Sequence, residues 1–183
     1  GAPSFVEKYG ARALEAYLRF GIVNDLGAAL SPVHSFLLQQ GMETLSLRMT
    51  KHLANADEVA RWLDAHPAVE SVDYAGLESS PYHQIAQERF GGHAGSVFAF
   101  TVRGGRAGAQ RFFDALRVVS RMTNIGDVRS MALHPATTTH ASFSAEERAR
   151  LGIADGLIRL SIGIETASDL IADLDQALRA TID

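Results

Sequence analysis

Apolar residues recur along this chain first at helical spacing and then, past its first third, with the alternation of strands between further helices. Phe5, Ala13, Leu14, Tyr17 and Leu18 predict a helix running toward Phe20, opened by Ser4 and Glu7 at the capping-box spacing and weakened by Gly10 inside it. Asn24 to Gly27 reads as a turn or helix end. Ser31 and Pro32 then start a short helix through Val33, Phe36, Leu37 and Leu38, because a proline in the first helical position loses no needed donor, and Gly41 closes it. From Glu43 the series Leu45, Met49, Leu53, Ala56, Ala60, Leu63 predicts a long helix that stops at His66 and Pro67.

After Pro67 the texture changes. Val69 to Tyr74 is a strand, and a loop through Gly76 to Pro81 leads to a short helix ending near Phe90. Ser96 to Val102 is apolar on both faces, as in an interior strand, and a helix bearing Phe112, Phe113 and Leu116 follows. Short strands are expected at Val118 to Ser120 and Val128 to Leu133, with a turn at His134 and Pro135. Ser144 and Glu147 repeat the capping-box spacing. Thr166 and Asp169 cap a last helix whose Leu170, Ile171, Leu174, Ala177 and Leu178 form an amphipathic stripe. The expected architecture is α/β: a mixed sheet with covering helices over residues 67–183, preceded by a helical lead-in over residues 1–66.

Leu157 to Glu165, reading LIRLSIGIE, is the strand with the sharpest division of faces. Ile158, Leu160, Ile162 and Ile164 line a core face, while Arg159, Ser161 and Gly163 line the other. That second face carries a guanidinium, a hydroxyl and a glycine, so it can present a planar positive fork to something small that approaches closely.

Composition narrows the function. At 183 residues and 46% hydrophobic the chain can bury one good core, and a net charge of -4 leaves no basic footprint for nucleic acid or an anionic membrane. No apolar run approaches a membrane span and no signal-peptide order is visible. The chain has no cysteine, which removes disulfides, thiol chemistry and cysteine zinc sites and fits a reducing cytoplasmic home. It opens on Gly1 without methionine, as a processed or truncated piece of something longer would.

The glycine clusters GGHAG and GGRAG match no nucleotide-binding fingerprint and read as turns. His83, His93, His134 and His140 are too scattered for a metal site, and no serine stands in a strand-turn-helix elbow. Glu146 with Glu147, and Asp173 with Asp175, read as solvated helix faces. Lys8 and Lys51 sit on polar sides of helices, whereas a Schiff-base lysine needs a desolvated pocket. No complete catalytic constellation is present. What remains is Arg159, together with the polar loop carrying Thr123, Asn124, Asp127 and Arg129.

Three blocks in order, GAALSPVHSFLLQQGMETLSLRM from Gly27, TNIGDVRSMALHPATTTH from Thr123 and LIRLSIGIETASDLIADLDQAL from Leu157, closely resemble the C-terminal part of the pyridoxal-phosphate enzymes of cysteine and methionine metabolism. Within that family NIGD followed by HPATTTH is most similar to the O-acetylhomoserine sulfhydrylase branch. The resemblance implies a fold-type I enzyme in which this chain supplies the end of the large domain and the whole small C-terminal domain. It further implies a homotetramer and a pyridoxal 5'-phosphate cofactor whose lysine lies upstream, so that no catalytic residue falls in this chain. It also implies that Arg159 binds the substrate α-carboxylate, with Asn124 beside it, and that His134, Pro135 and His140 are structural. Without its large domain the piece is expected to expose hydrophobic surface and associate.

Overall fold

A computed structural model of the protein describes residues 2–181. They form two compact units that part after Leu45.

The first unit is helical. Its capping box forms as expected: Ser4 Oγ accepts the Glu7 N–H at 3.3 Å, and Glu7 Oε2 accepts the Ser4 N–H at 2.7 Å. Those bonds favour the ionised Glu7 and hold its carboxyl below the usual range. Helix α1 (Phe5–Tyr9) ends at Gly10, whose φ of 54° suits glycine, and a 3-10 turn precedes α2 (Ala13–Tyr17). The helix expected to run to Phe20 is therefore broken at the glycine inside it. A π-helical turn, Leu18–Val23, then leads to α3 (Asn24–Leu26), stopped by the left-handed Gly27. Phe5, Tyr9, Tyr17 and Phe20 make a small aromatic cluster. Helix α4 (Pro32–Glu43) starts where Ser31 and Pro32 predict, with Ser31 Oγ accepting the Val33 N–H. None of its residues is buried, and Val33, Phe36, Leu37, Leu38 and Met42 are all exposed.

The second unit holds a five-stranded sheet of order β1-β2-β5-β4-β3, in which only β3 and β4 run parallel. The strands are β1 (Val69–Asp73), β2 (Val97–Val102), β3 (Ser120–Arg121), β4 (Met131–Leu133) and β5 (Leu157–Ser161). The helices are α5 (Leu45–Asp64), α6 (His83–Phe90), α7 (Gly105–Ala115), α8 (Ala145–Arg150) and α9 (Ala167–Arg179). Grouped by its periodicity with the lead-in, α5 packs with the sheet instead. Its buried residues are His52, Asn55, Ala56, Val59, Ala60 and Leu63, while Leu45 and Met49 of the predicted stripe are exposed. One core joins α5, α7 and α9 to the face of the sheet made by Phe98, Phe100, Ala132, Ile158 and Leu160, so β5 is its central strand.

Several expectations shift here. The β5 ladder stops at Ser161; beyond it Ile162 and Ile164 donate to Ser96 O and Val128 O, and the chain bends at Ile164, which is only half-buried. Strand β4 is shorter than Val128 to Leu133 because Ser130 N–H turns to Glu165 Oε1 at 2.6 Å. Thr166 is the N-cap of α9, but its side chain makes no capping bond. Asp173 is not solvated: it is 4% exposed and accepts the backbone N–H groups of Arg117, Val118 and Val119. Those bonds also delay β3, which begins at Ser120 rather than Val118.

Tyr74, 4% exposed and packed 5.2 Å from Phe98, has its phenol pushed up to about 12 by burial. A folded value above the unfolded one of about 10 favours the protonated phenol in the native state, so this stabilisation is complete below pH ~10 and is lost as pH rises toward about 12. The loss amounts to about 2 to 3 kcal/mol. Tyr74→Phe should keep its stability across that window in denaturant titrations, whereas wild type should not; parallel pH profiles would remove this role from Tyr74.

Candidate functional site

The sheet face opposite the core carries the candidate site. Register places Asp73, Ala99, Arg159 and Leu133 in one row across β1, β2, β5 and β4. The neighbour on the β2 side is the small Ala99, and Leu133 on the other side is buried, so the half-buried Arg159 stands beside little that competes for its guanidinium. Among the described residues no carboxylate lies within ion-pair distance of it. Its one bond here is Nη2 to the backbone carbonyl of Asn124, at 3.4 Å.

The resemblance sets Asn124 beside the carboxylate that Arg159 would bind, and in the structure these two residues touch. The contact is through the main chain, since the Asn124 side-chain oxygen accepts the N–H of Ile125 at 2.9 Å. Of the other loop residues, Asp127 accepts the Arg129 N–H at 3.0 Å and pairs with its guanidinium. The N–H bond and the nearby cation hold the Asp127 carboxyl below its usual range. Thr123 is exposed. The loop is tied to β5 a second time, where the N–H of Gly126, at φ 80°, donates to Ser161 Oγ at 3.3 Å.

Below this lies a polar network that pattern reading passes over. His52 Nδ1 is 2.6 Å from Ile162 O and must carry the donated proton there, while Asn55 Nδ2 donates to Gly163 O and Glu165 O. Ser130 donates to Glu165 and accepts the Gly163 N–H at 2.8 Å. A Cβ at Gly163 would run into Val128 O and the Arg129 backbone. The close approach that this glycine permits is therefore made by the chain itself. The signal was present as His52 and Asn55, two polar residues on the apolar side of α5.

His134 is buried with both ring nitrogens engaged, Nε2 donating to Asp155 O and Nδ1 accepting from Thr137 Oγ1, each at 2.8 Å. His140 pairs with Thr139 and packs on Phe143. Among the described residues no group of three His, Asp or Glu could hold a metal, and no helix is long and apolar enough to cross a membrane. The arrangement can clamp a small carboxylate with a planar fork. Among the described residues it brings no nucleophile and base together.

The family profile described as Cys/Met metabolism PLP-dependent enzyme matches residues 7–179. The chain belongs to the Cys/Met metabolism PLP-dependent enzymes. L-methionine gamma-lyase of Pseudomonas putida is 43% identical over 173 residues, covering 94% of this chain and 43% of that enzyme. O-succinylhomoserine sulfhydrylase of Pseudomonas aeruginosa is 46% identical over 160 residues, covering 87% of this chain and 40% of the relative. A solved structure of a putative O-acetylhomoserine (thiol)-lyase from Campylobacter jejuni superposes with a TM-score of 0.82 at 36% identity, covering 94% of this chain and 41% of that one. That structure carries N'-pyridoxyl-lysine-5'-monophosphate. The chain thus spans about two fifths of the length of the relatives it matches.

Membership of the Cys/Met metabolism enzymes makes the α/β unit part of a fold-type I protein whose family chemistry uses pyridoxal 5'-phosphate. Of the two lysines, Lys8 is exposed with its amine over the Tyr9 ring, and Lys51 is exposed on α5.

Proposed function

We propose that this chain is the C-terminal portion of an O-acetylhomoserine sulfhydrylase. The complete enzyme replaces the acetate of O-acetyl-L-homoserine with sulfide, giving homocysteine and acetate in methionine biosynthesis. Arg159 binds the substrate α-carboxylate and Asn124 flanks it. The observation that carries this reading is the half-buried guanidinium on the central strand, with no carboxylate partner among the described residues and with the NIGD loop against it. A fixed fork orients the substrate, which decides the bond at the α carbon that stands in line for proton removal. Pyridoxal phosphate, when bound, supplies the electron sink for γ-elimination and replacement. Its lysine belongs to a large domain outside these 183 residues; residues 1–66 are the end of that domain and the linking helix, α5, which packs on the sheet. The chain alone is inactive; the working form is a cytoplasmic homotetramer.

The methionine gamma-lyase and O-succinylhomoserine sulfhydrylase among the relatives favour a second reading within the family, one of those two activities, and cystathionine gamma-synthase is a further alternative of the same class. Steady-state assays of the complete enzyme with O-acetyl-L-homoserine, O-succinyl-L-homoserine, each with sulfide, and with L-methionine separate them. We expect the highest kcat/KM with the acetyl ester, and preference for either other donor would sink the assignment. A non-catalytic domain of the same fold is distinguished by the upstream gene sequence, which on our reading encodes a lysine-bearing large domain.

A further inference from the structure

We propose that Ser161 is a positioning residue for the carboxylate site, acting through the Thr123 to Asp127 loop on Arg159. This rests on the assignment of Arg159 to the substrate carboxylate.

Ser161 is 2% exposed and lies between Val97 and Met131 in the sheet register. A hydroxyl flanked by two apolar cross-strand neighbours needs a partner, and its partner is the Gly126 N–H at 3.3 Å. Arg159 and Ser161 are two apart on β5 and point to the same face. The loop positions they hold, Asn124 and Gly126, are also two apart. The loop is therefore stitched to the strand at two successive points by side chains rather than by a backbone ladder. Gly126 adopts a φ of 80°, which L side chains rarely do, so the turn that presents this N–H calls for glycine.

The consequence concerns the direction of the fork. The Asn124 carbonyl is the protein group on Arg159 Nη2, and it limits the rotamers open to a long side chain whose other donors are meant for a ligand. The carbonyl keeps its place only while the loop is held, and most of the loop is exposed. Removing the Ser161 hydroxyl leaves both Arg159 and the loop sequence unchanged but removes one of the two stitches. The fork then spends part of its time misdirected, and the cost falls on carboxylate binding.

The test uses the complete enzyme with its cofactor and the donor selected by the assay above: O-acetyl-L-homoserine, O-succinyl-L-homoserine or L-methionine. Ser161→Ala should raise KM by about three- to tenfold, the worth of one hydrogen bond, with kcat within about twofold. Amide exchange at Gly126 should accelerate. In the Arg159→Lys background Ser161→Ala should add less than about twofold to KM, because there is no longer a fork to direct. Should Arg159→Lys itself leave KM unchanged, the carboxylate assignment fails and this proposal with it. Should Arg159→Lys raise KM while Ser161→Ala leaves it unchanged, lowers kcat instead, or acts equally in both backgrounds, only the role of Ser161 is overturned.

Discussion

Arg159→Lys in the complete enzyme is expected to weaken substrate binding by more than about tenfold while leaving the visible absorbance of the cofactor intact. The charge survives the exchange, so whatever is lost measures geometry. An arginine on a strand offers two parallel N–H groups to a carboxylate and needs little ordering to do so; a lysine offers a single mobile ammonium. Each charge-assisted bond is worth roughly 1.5 to 3 kcal/mol, so losing one of two accounts for a tenfold effect or more. Lysine also forfeits the contact with Asn124 O that steadies the guanidinium. Substrate KM, together with an absorbance spectrum, gives the readout. Unchanged kinetics would remove Arg159 from the site, and a lost cofactor spectrum would mean that the substitution disturbs more than the carboxylate.

Part of this site can be read from residue order alone. Strand alternation puts Arg159 opposite a face of Ile158, Leu160 and Ile162, all of which are at most 1% exposed. The stripe of α9 is equally direct: Leu170, Leu174, Ala177 and Leu178 are fully buried. Such patterns survive because each rests on one local period. What holds the site in place does not. Ser161 meets Gly126 across 35 positions, and Asn55 meets Glu165 across 110, and nothing local in either residue specifies such a partner. Asn124 shows a different limit. The resemblance gives it a position beside the carboxylate but not the atom that acts there; the carboxamide is turned to its own loop and the carbonyl faces Arg159. The place of α5 shows a related limit. Its helical period groups it with the helices before it, but does not say that its buried His52 and Asn55 bond the chain that leaves β5.

Asp173 and Asp175 look alike in sequence, and their replacement should have very different results. Asp173 projects from the buried side of α9 and accepts three successive backbone N–H groups, from Arg117, Val118 and Val119, at 2.8 to 2.9 Å. Gln176 Nε2 adds a fourth bond at 3.0 Å. Such a nest stabilises a carboxylate, and the carboxylate in turn satisfies donors that the approach to β3 would otherwise strand. Asp173→Ala leaves the Val119 N–H buried without an acceptor and loosens the other two, a cost of about 3 kcal/mol. Asp173→Asn fares little better, because one of its two positions becomes a donor facing donors. Asp175 instead meets Arg179 at 2.7 Å and His66 at 3.4 Å near the surface, and Asp175→Ala should cost less than about 1 kcal/mol. Urea unfolding of the complete enzyme compares the pair, and equal or reversed losses would refute the account. Because β3 runs straight into the Thr123 to Asp127 loop, Asp173→Ala should also raise substrate KM under conditions where the protein remains folded. The anchor that fixes the start of β3 is, at one remove, an anchor of the carbonyl that steadies Arg159.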